Sequence, residues 1–299
     1  MKNLLTLALA LGLAGAASAQ STATVTQTGD FSTATVDQSN GAHSATVSTN
    51  SSATSLAQAN SASVTQSGTG SDEARIRQGL APNFSVKEAT ATITQTGTGQ
   101  NLAIIDQNVD QSGQQVQSTI NQNGFNNRGE TVFSANQRQN DVTLIDQTGS
   151  SNDAYQLKDD EREGSLTIIQ DGTSNTAAQY TRKDQARALL IEQVGDNNTA
   201  SQDIYKGSNA TTLQYGSGNS ASVTLNRGTR NTFRTEQGTL MTDADDNTAT
   251  IMATGDDNTA SIFQSMGSDN SAMITISGDA NTATVTQMGN GNSAVVTQQ

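Results

Sequence analysis

Gln287-Met288-Gly289-Asn290-Gly291-Asn292-Ser293-Ala294-Val295-Val296-Thr297-Gln298 is the stretch that decides the fold. Written as a template it is Q-x-G-x-G-N-x-A-x-x-x-Q, two Gln-ended segments around a turn of Gly and Asn. Just upstream, Asn281-Thr282-Ala283-Thr284-Val285-Thr286-Gln287 alternates with a period of two. That period belongs to a strand: Asn, Ala, Val and Gln take one face and the Thr residues the other. Thr and Val favour pleated backbone, while Gly and Asn tolerate the positive φ of tight turns. The same split runs through 21–27, 219–225 and 258–264. No helical periodicity appears after the N-terminal segment that ends at Ala19.

A shorter signature, Q-x-G-x-x-[N/S]-x-A, recurs along the chain. It starts at Gln27 (with Gly29), Gln147 (Gly149, Asn152), Gln170 (Gly172, Asn175), Gln193 (Gly195, Asn198), Gln214 (Gly216, Asn219) and Gln287 (Gly289). Looser copies start at Gln66, Gln95, Gln122 and Gln264. The steps from Gln147 to Gln170, Gln170 to Gln193 and Gln264 to Gln287 are equal, and that from Gln193 to Gln214 is slightly shorter. A fixed period in the twenties marks a stacked array.

Each unit thus gives a strand, an arc, a second strand and a second arc. The expected fold is all-β: a β-solenoid of stacked strand–arc–strand layers, about 22–23 residues per layer, amyloid-like in its spacings. Layers would follow one another at about 4.8 Å with facing sheets about 10 Å apart, a gap that suits Ala, Val and extended Gln. Inward amides fall above one another and form ladders. The expected ladder residues are Gln27, Gln147, Gln170, Gln193, Gln214, Gln264, Gln287 and Gln298, with Asn175, Asn198, Asn219, Asn258, Asn281 and Asn292. Gly29, Gly149, Gly172, Gly195, Gly216 and Gly289 are the expected arc glycines.

Composition agrees with a narrow core. Hydrophobic residues make up 32% of the 299 and aromatics 3%, with 26 Gly and one Pro, too little for an ordinary globular interior. Zero Cys removes disulfide frameworks and thiolate zinc sites. A formal charge of −13 argues against nucleic acid as a partner.

Residues 1–19 read as a secretory signal: Lys2, an apolar run from Leu4 to Gly15, and Ala17-Ser18-Ala19 as the cleavage site. Residues 20–299 read as the repeat domain, with irregular rungs near 71–89, 125–140 and 239–246. No later stretch is apolar enough for a membrane span. The charged run 158–163 falls where an arc belongs, so its charges are expected to stay solvated. Thr22 to Gln27 and Ala294 to Gln299 carry neither charge nor Pro, so both ends are expected to be open to another copy.

Catalytic and metal chemistry find little support. His43 is the single histidine, expected in an exposed arc, and no base stands beside a nucleophile. Acidic turns such as Gly255-Asp256-Asp257-Asn258 lack the spacing of calcium-binding β-rolls and read as plain turns. The Gly-x-Gly pairs at 97/99, 216/218 and 289/291 do not continue as a nucleotide fingerprint. No cofactor is expected. Outward rows such as Thr22, Thr24 and Thr26 keep an alternative open, a monomeric ice- or surface-binding β-solenoid protein.

The repeat resembles that of curlins, the subunits of bacterial curli fibres, commonly written S-x5-Q-x-G-x-G-N-x-A-x3-Q. Gln287, Gly289, Gly291, Asn292, Ala294 and Gln298 match position by position, with Asn281 for the leading Ser. Gln214, Gly216, Gly218, Asn219 and Ala221 match too, with Leu225 for the closing Gln. The resemblance implies a non-enzymatic, secreted subunit that polymerises with itself into amyloid fibres at the cell surface. It also implies a nucleator subunit, periplasmic chaperones and an outer-membrane export pore as partners.

Overall fold

The computed structural model describes residues 6–11, 20–29, 32–51, 60–79, 89–109, 116–135, 141–159, 164–182, 188–239 and 244–299. These residues are all β, without a helix, and build a β-solenoid from parallel sheets. The chain divides into two compact units, Met1–Ser151 with Gln156–Glu163, and Asn152–Tyr155 with Gly164–Gln299.

The first unit holds β1 (Thr6–Leu11), β2 (Thr22–Gly29), β3 (Thr33–Ser39), β4 (Ser44–Ser51), β5 (Ser61–Gly68) and β6 (Glu73–Gln78). It continues with β7 (Ala89–Gly97), β8 (Leu102–Val109), β9 (Val116–Phe125), β10 (Arg128–Ala135), β11 (Asp141–Ser150) and most of β12 (Asp153–Asp159). Odd strands form one sheet in the order β1-β3-β5-β7-β9-β11, and even strands the other, β2-β4-β6-β8-β10. β1, which lies inside the segment read as a leader, runs parallel to β3 with Thr6 opposite Thr33 and Leu11 opposite Gln38.

The second unit repeats the plan with β13 (Ser165–Thr173), β14 (Thr176–Arg182), β15 (Ala188–Val194), β16 (Thr199–Ile204), β17 (Asn209–Tyr215) and β18 (Ser220–Arg227). β19 (Thr232–Gln237), β20 (Thr248–Thr254), β21 (Thr259–Ser265), β22 (Ser271–Ser277), β23 (Thr282–Met288) and β24 (Ser293–Gln298) complete it. The sheets run β13-β15-β17-β19-β21-β23 and β14-β16-β18-β20-β22-β24.

Alternation sets the core. In β5, Ala62, Val64 and Gln66 are buried while Ser61, Ser63 and Thr65 face out. In β23, Ala283, Val285 and Gln287 are buried between exposed Thr282, Thr284 and Thr286. Ala at the first inward place and Val or Ile at the second stack into apolar columns, with one cluster running from Leu166 to Val285 in the second unit. The inward set also admits Thr: Thr131, Thr143, Thr181, Thr212 and Thr235 are buried, so Thr is not confined to the outer face. Thr235 and Thr212 satisfy each other across layers, Oγ1 to Oγ1 at 3.1 Å.

Register tolerates unequal steps. Gln170 lies opposite Gln193, a step of 23, and Gln193 opposite Gln214, a step of 21. In the first unit Gln38 lies opposite Gln66 and Gln66 opposite Gln95, steps of 28 and 29. The additional residues fall between strands, at 52–59 and 80–88, outside the described residues. Of the stretches expected to be irregular, 80–88, 136–140 and 240–243 lie outside the described residues, and Glu73–Gln78 and Arg128–Ala135 are regular strands.

Candidate functional site

From β3 to β23 the last inward residue of each odd strand is Gln, placed just before the arc. In the first unit the amides form one ladder, each Nε2 donating to the next Oε1: Gln38 to Gln66 at 2.7 Å, then Gln66 to Gln95, Gln95 to Gln122 and Gln122 to Gln147, each at 2.8 Å. In the second unit the ladder runs Gln170 to Gln193 at 2.9 Å, Gln193 to Gln214 and Gln214 to Gln237 at 2.8 Å, Gln237 to Gln264 at 3.0 Å, and Gln264 to Gln287 at 2.9 Å. The second Nε2 hydrogen crosses to the facing sheet, as from Gln193 to the Thr176 carbonyl at 3.0 Å. Within each unit these ladder bonds therefore all run from the earlier strand to the later one.

Asn side chains make a second kind of ladder at the entry to the even strands. The Asn198 backbone N–H donates to Asn175 Oδ1 at 3.0 Å, and the Asn219 N–H donates to Asn198 Oδ1 at 3.0 Å. The Nδ2 group reaches forward to an arc carbonyl, Asn175 to Gly195 at 2.6 Å and Asn198 to Gly216 at 2.8 Å. Asn292 continues this series from Asn270 at 2.9 Å. Asn258 and Asn281 belong to a separate series at the entry to the odd strands, where the Asn281 N–H donates to Asn258 Oδ1 at 2.9 Å.

The arcs are glycine for a steric reason. A Cβ on Gly172 would lie 2.0 Å from the Gly195 carbonyl oxygen, and one on Gly195 would lie 2.1 Å from that of Gly216. Their φ values of +130° and +114° favour glycine as well. Gly149, Gly216 and Gly289 share the positive φ, at 105°, 108° and 87°. Gly29 closes β2.

Gln147, Gln170, Gln193, Gln214, Gln264 and Gln287 thus stand in the odd-sheet ladders. Gln27 and Gln298 stand on even strands, where Gln27 Nε2 reaches the Ser32 carbonyl at 3.2 Å and Gln298 Nε2 the Thr282 carbonyl at 2.9 Å. The structure adds Gln38, Gln66, Gln95, Gln122 and Gln237 to the Gln ladders, and Asn101, Asn127, Asn247 and Asn270 to the Asn series. A third amide position appears at the middle of even strands, where Gln179 Nε2 donates to Gln202 Oε1 at 3.1 Å.

Two expectations about charge are corrected. His43 is buried, not exposed in an arc: it occupies the Asn position before β4, and Asp72 occupies the same position before β6. His43 Nδ1 lies 3.3 Å from Asp72 Oδ2, His43 Nε2 lies 3.1 Å from the Ser39 carbonyl, and Asp72 Oδ1 accepts the Asn101 N–H at 2.9 Å. Burial pushes the Asp72 carboxyl above the usual carboxylate range, against the opposing pull of the Asn101 bonds and His43. Lys158 is likewise not solvated. The inward parity of β12 carries Ala154, Gln156 and Lys158 into the core, and Lys158 Nζ meets Asp141 Oδ1 at 2.9 Å with both side chains 0% exposed.

The acidic turns act as inter-layer acceptors. Asp196 Oδ1 takes the Thr173 N–H at 2.8 Å, and Asp279 Oδ1 takes that of Asp256 at 2.8 Å. Among the described residues no group of three or more His, Cys, Asp or Glu is placed to hold a metal, and no helix is long and apolar enough to cross a membrane.

The bounding strands differ from the interior. β24 and the even strand β2 bury their inward residues only partly. Gln38 Oε1 is buried without a hydrogen-bond donor among the described residues. Among the same residues Gln287 Nε2 donates to the Ser271 carbonyl alone, at 3.0 Å. A Cβ on Gly291 would meet nothing within 4 Å, whereas one on Gly70, at the matching place in the first unit, would lie 1.9 Å from the Gly99 carbonyl oxygen.

No curated protein matches the chain. The family model for the curlin associated repeat matches residues 244–275 and 278–299. Those residues hold the layers β20 to β24, with the Gln264–Gln287 bond, the Asn270–Asn292 bond and the open Gly289-Asn290-Gly291 arc. This stretch of the chain is similar to the curlin associated repeat.

Proposed function

We propose that the chain is a secreted structural subunit that assembles with itself into curli-like amyloid fibres, which serve biofilm matrix and surface adhesion. One observation carries the reading: the amide ladders are polar. The layer of β23 and β24 offers a spare Gln287 N–H, and the layer beginning at β3 holds Gln38 Oε1 with no donor among the described residues. A donor surface on one copy and an acceptor surface on another make a heterologous contact, which propagates as a filament when it does not close into a ring. Each added bond contributes only about 0.5–1.5 kcal/mol, but a buried amide left unpaired costs about 1–3 kcal/mol, so both terms favour adding layers. The curlin associated repeats at 244–299 support the same reading. Export under the signal at 1–19, through an outer-membrane pore with periplasmic chaperones and a nucleator, completes the proposal.

The test is polymerisation of the purified chain. After a lag it should form fibres with cross-β spacings of about 4.8 Å and about 10 Å, and preformed fragments should abolish the lag. A chain that stays monomeric at high concentration would overturn the proposal.

A further inference from the structure

We infer that when one copy docks on the next, its β23–β24 layer displaces β2 and seats on the β3–β4 layer. The inference rests on the self-assembly reading above and on removal of residues 1–19.

The first unit begins one strand out of step. β1 fills the odd-sheet place beside β3, and β2 fills the even-sheet place beside β4, with Thr22 opposite Ser44. Without residues 1–19 the odd sheet starts at β3, but the even sheet still starts one strand earlier, at β2. The docking layer has a strand on each sheet, β23 and β24. Both cannot seat on edges that are offset by a strand. Were β24 to pair with β2, β23 would stand one strand short of β3, and the Gln287 amide and Gln38 Oε1 would face an empty slot. Were β23 to pair with β3, β24 would fall on β4, and β2 would have to leave.

β2 is suited to leaving. Its inward Ala23, Val25 and Gln27 are only half-buried, whereas Ala45, Val47 and Thr49 on β4 are buried. Without β1 it is tied across the core only on the β3 side, by Gln38 Nε2 to the Thr22 carbonyl at 3.3 Å and Gln27 Nε2 to the Ser32 carbonyl at 3.2 Å. The incoming strands fit the vacated places. Thr282-Ala283-Thr284-Val285-Thr286-Gln287 and Thr33-Ala34-Thr35-Val36-Asp37-Gln38 differ at a single position. In the register that β1 takes on β3, Gln287 comes opposite Gln38 and continues the ladder. β24 brings Ala294, Val296 and Gln298 inward, the same residue types as Ala23, Val25 and Gln27. The bonds that β2 gives up, such as the Thr22 N–H to the His43 carbonyl at 2.8 Å, are ones that β24 can remake from Ser293.

The chain has no cysteine, so paired substitutions report cleanly. In protein beginning at Gln20, Asp37→Cys with Thr286→Cys places thiols in register across the proposed contact. Thr26→Cys with Thr297→Cys does so only if β24 stacks on β2. A short thiol-specific cross-linker applied to fibres should join copies in the first variant and leave the second monomeric on denaturation. Cross-linking in the second variant, or fibres in which neither pair reacts, would overturn the inference. Deleting residues 20–29 should speed seeded elongation severalfold; slower elongation would also overturn it. Failure of the unsubstituted chain to form fibres would instead sink the self-assembly reading, so the two are distinguishable.

Discussion

His43 Nδ1 and Asp72 Oδ2 face each other at 3.3 Å inside the first unit, at two consecutive places that asparagine fills further along the stack. The Asp72 N–H approaches His43 Nδ1 at 3.4 Å, so a neutral His43 offers a lone pair there, and the contact with the carboxylate needs a shared proton. Burial holds the Asp72 carboxyl above its ordinary value. A carboxyl raised in the folded state contributes stability below its unfolded pKa and loses it as pH rises through the folded value. Stability of the first unit should therefore fall as pH rises from about 4 towards neutrality. The facing groups are His43, Asn101 and the Ser39 carbonyl; Glu73, next in the chain, is exposed and paired with Arg75 at 3.1 Å. Urea unfolding across this range, with Asp72→Asn flattening the slope and raising stability by about 1 kcal/mol, checks the prediction.

Lys158 and Asp141 form the other buried charged contact described above. Lys158→Ala leaves a carboxylate in the core and should cost about 3–5 kcal/mol, whereas replacing the pair by Met and Leu together should be neutral or stabilising. Denaturant midpoints of the single and double variants separate the two outcomes.

Gln193 takes a bond from Gln170 at 2.9 Å and gives one to Gln214 at 2.8 Å. Gln193→Ala should cost about 2–4 kcal/mol, since both neighbours lose a partner and a cavity opens. The outward neighbour Glu192→Ala should cost less, its contact being the Tyr215 hydroxyl at 3.1 Å. Hydrogen exchange should report the loss at Gln170 and Gln214 first.

Two glycines in the second unit should respond differently. Gly195→Ala drives a Cβ against the Gly216 carbonyl at 2.1 Å and should destabilise the folded chain severely. Gly291→Ala meets nothing within 4 Å and should cost only about 1–2 kcal/mol for its positive φ. If another copy covers that arc, Gly291→Ala should still slow fibre growth strongly. Monomer stability and seeded growth rate, measured side by side, test this.

The period-two alternation and the Gln-Gly-Asn turn carry the architecture, because inward position, arc and ladder all follow from parity and spacing. Gln170, Gln193 and Gln214 are legible as ladder members since their steps stay at 23 and 21. Gln38 is not, because its step to Gln66 is 28 and the fixed period is lost there. Gln27 opens a local signature and Gln298 closes one, but both lie on the other sheet, a distinction that needs the count of strands from the start. His43 and Lys158 defy the sequence reading for one reason: ionisable residues usually seek water, yet the ladder position of one and the strand parity of the other turn them inward. Asp72 lies a whole layer beyond His43, and Asp141 opens the strand before that of Lys158, so neither partner gives a local hint.

Steps as different as 21 and 29 lead to the same in-register pairing of glutamines. Side chains, then, and not loop length, measure the rise of this chain. Foreign peptides spliced between Ser51 and Asn60, or between Gly79 and Ala89, should be carried as passengers without disturbing the pitch. A polymer of such chains would be a scaffold displaying one graft per subunit at regular intervals.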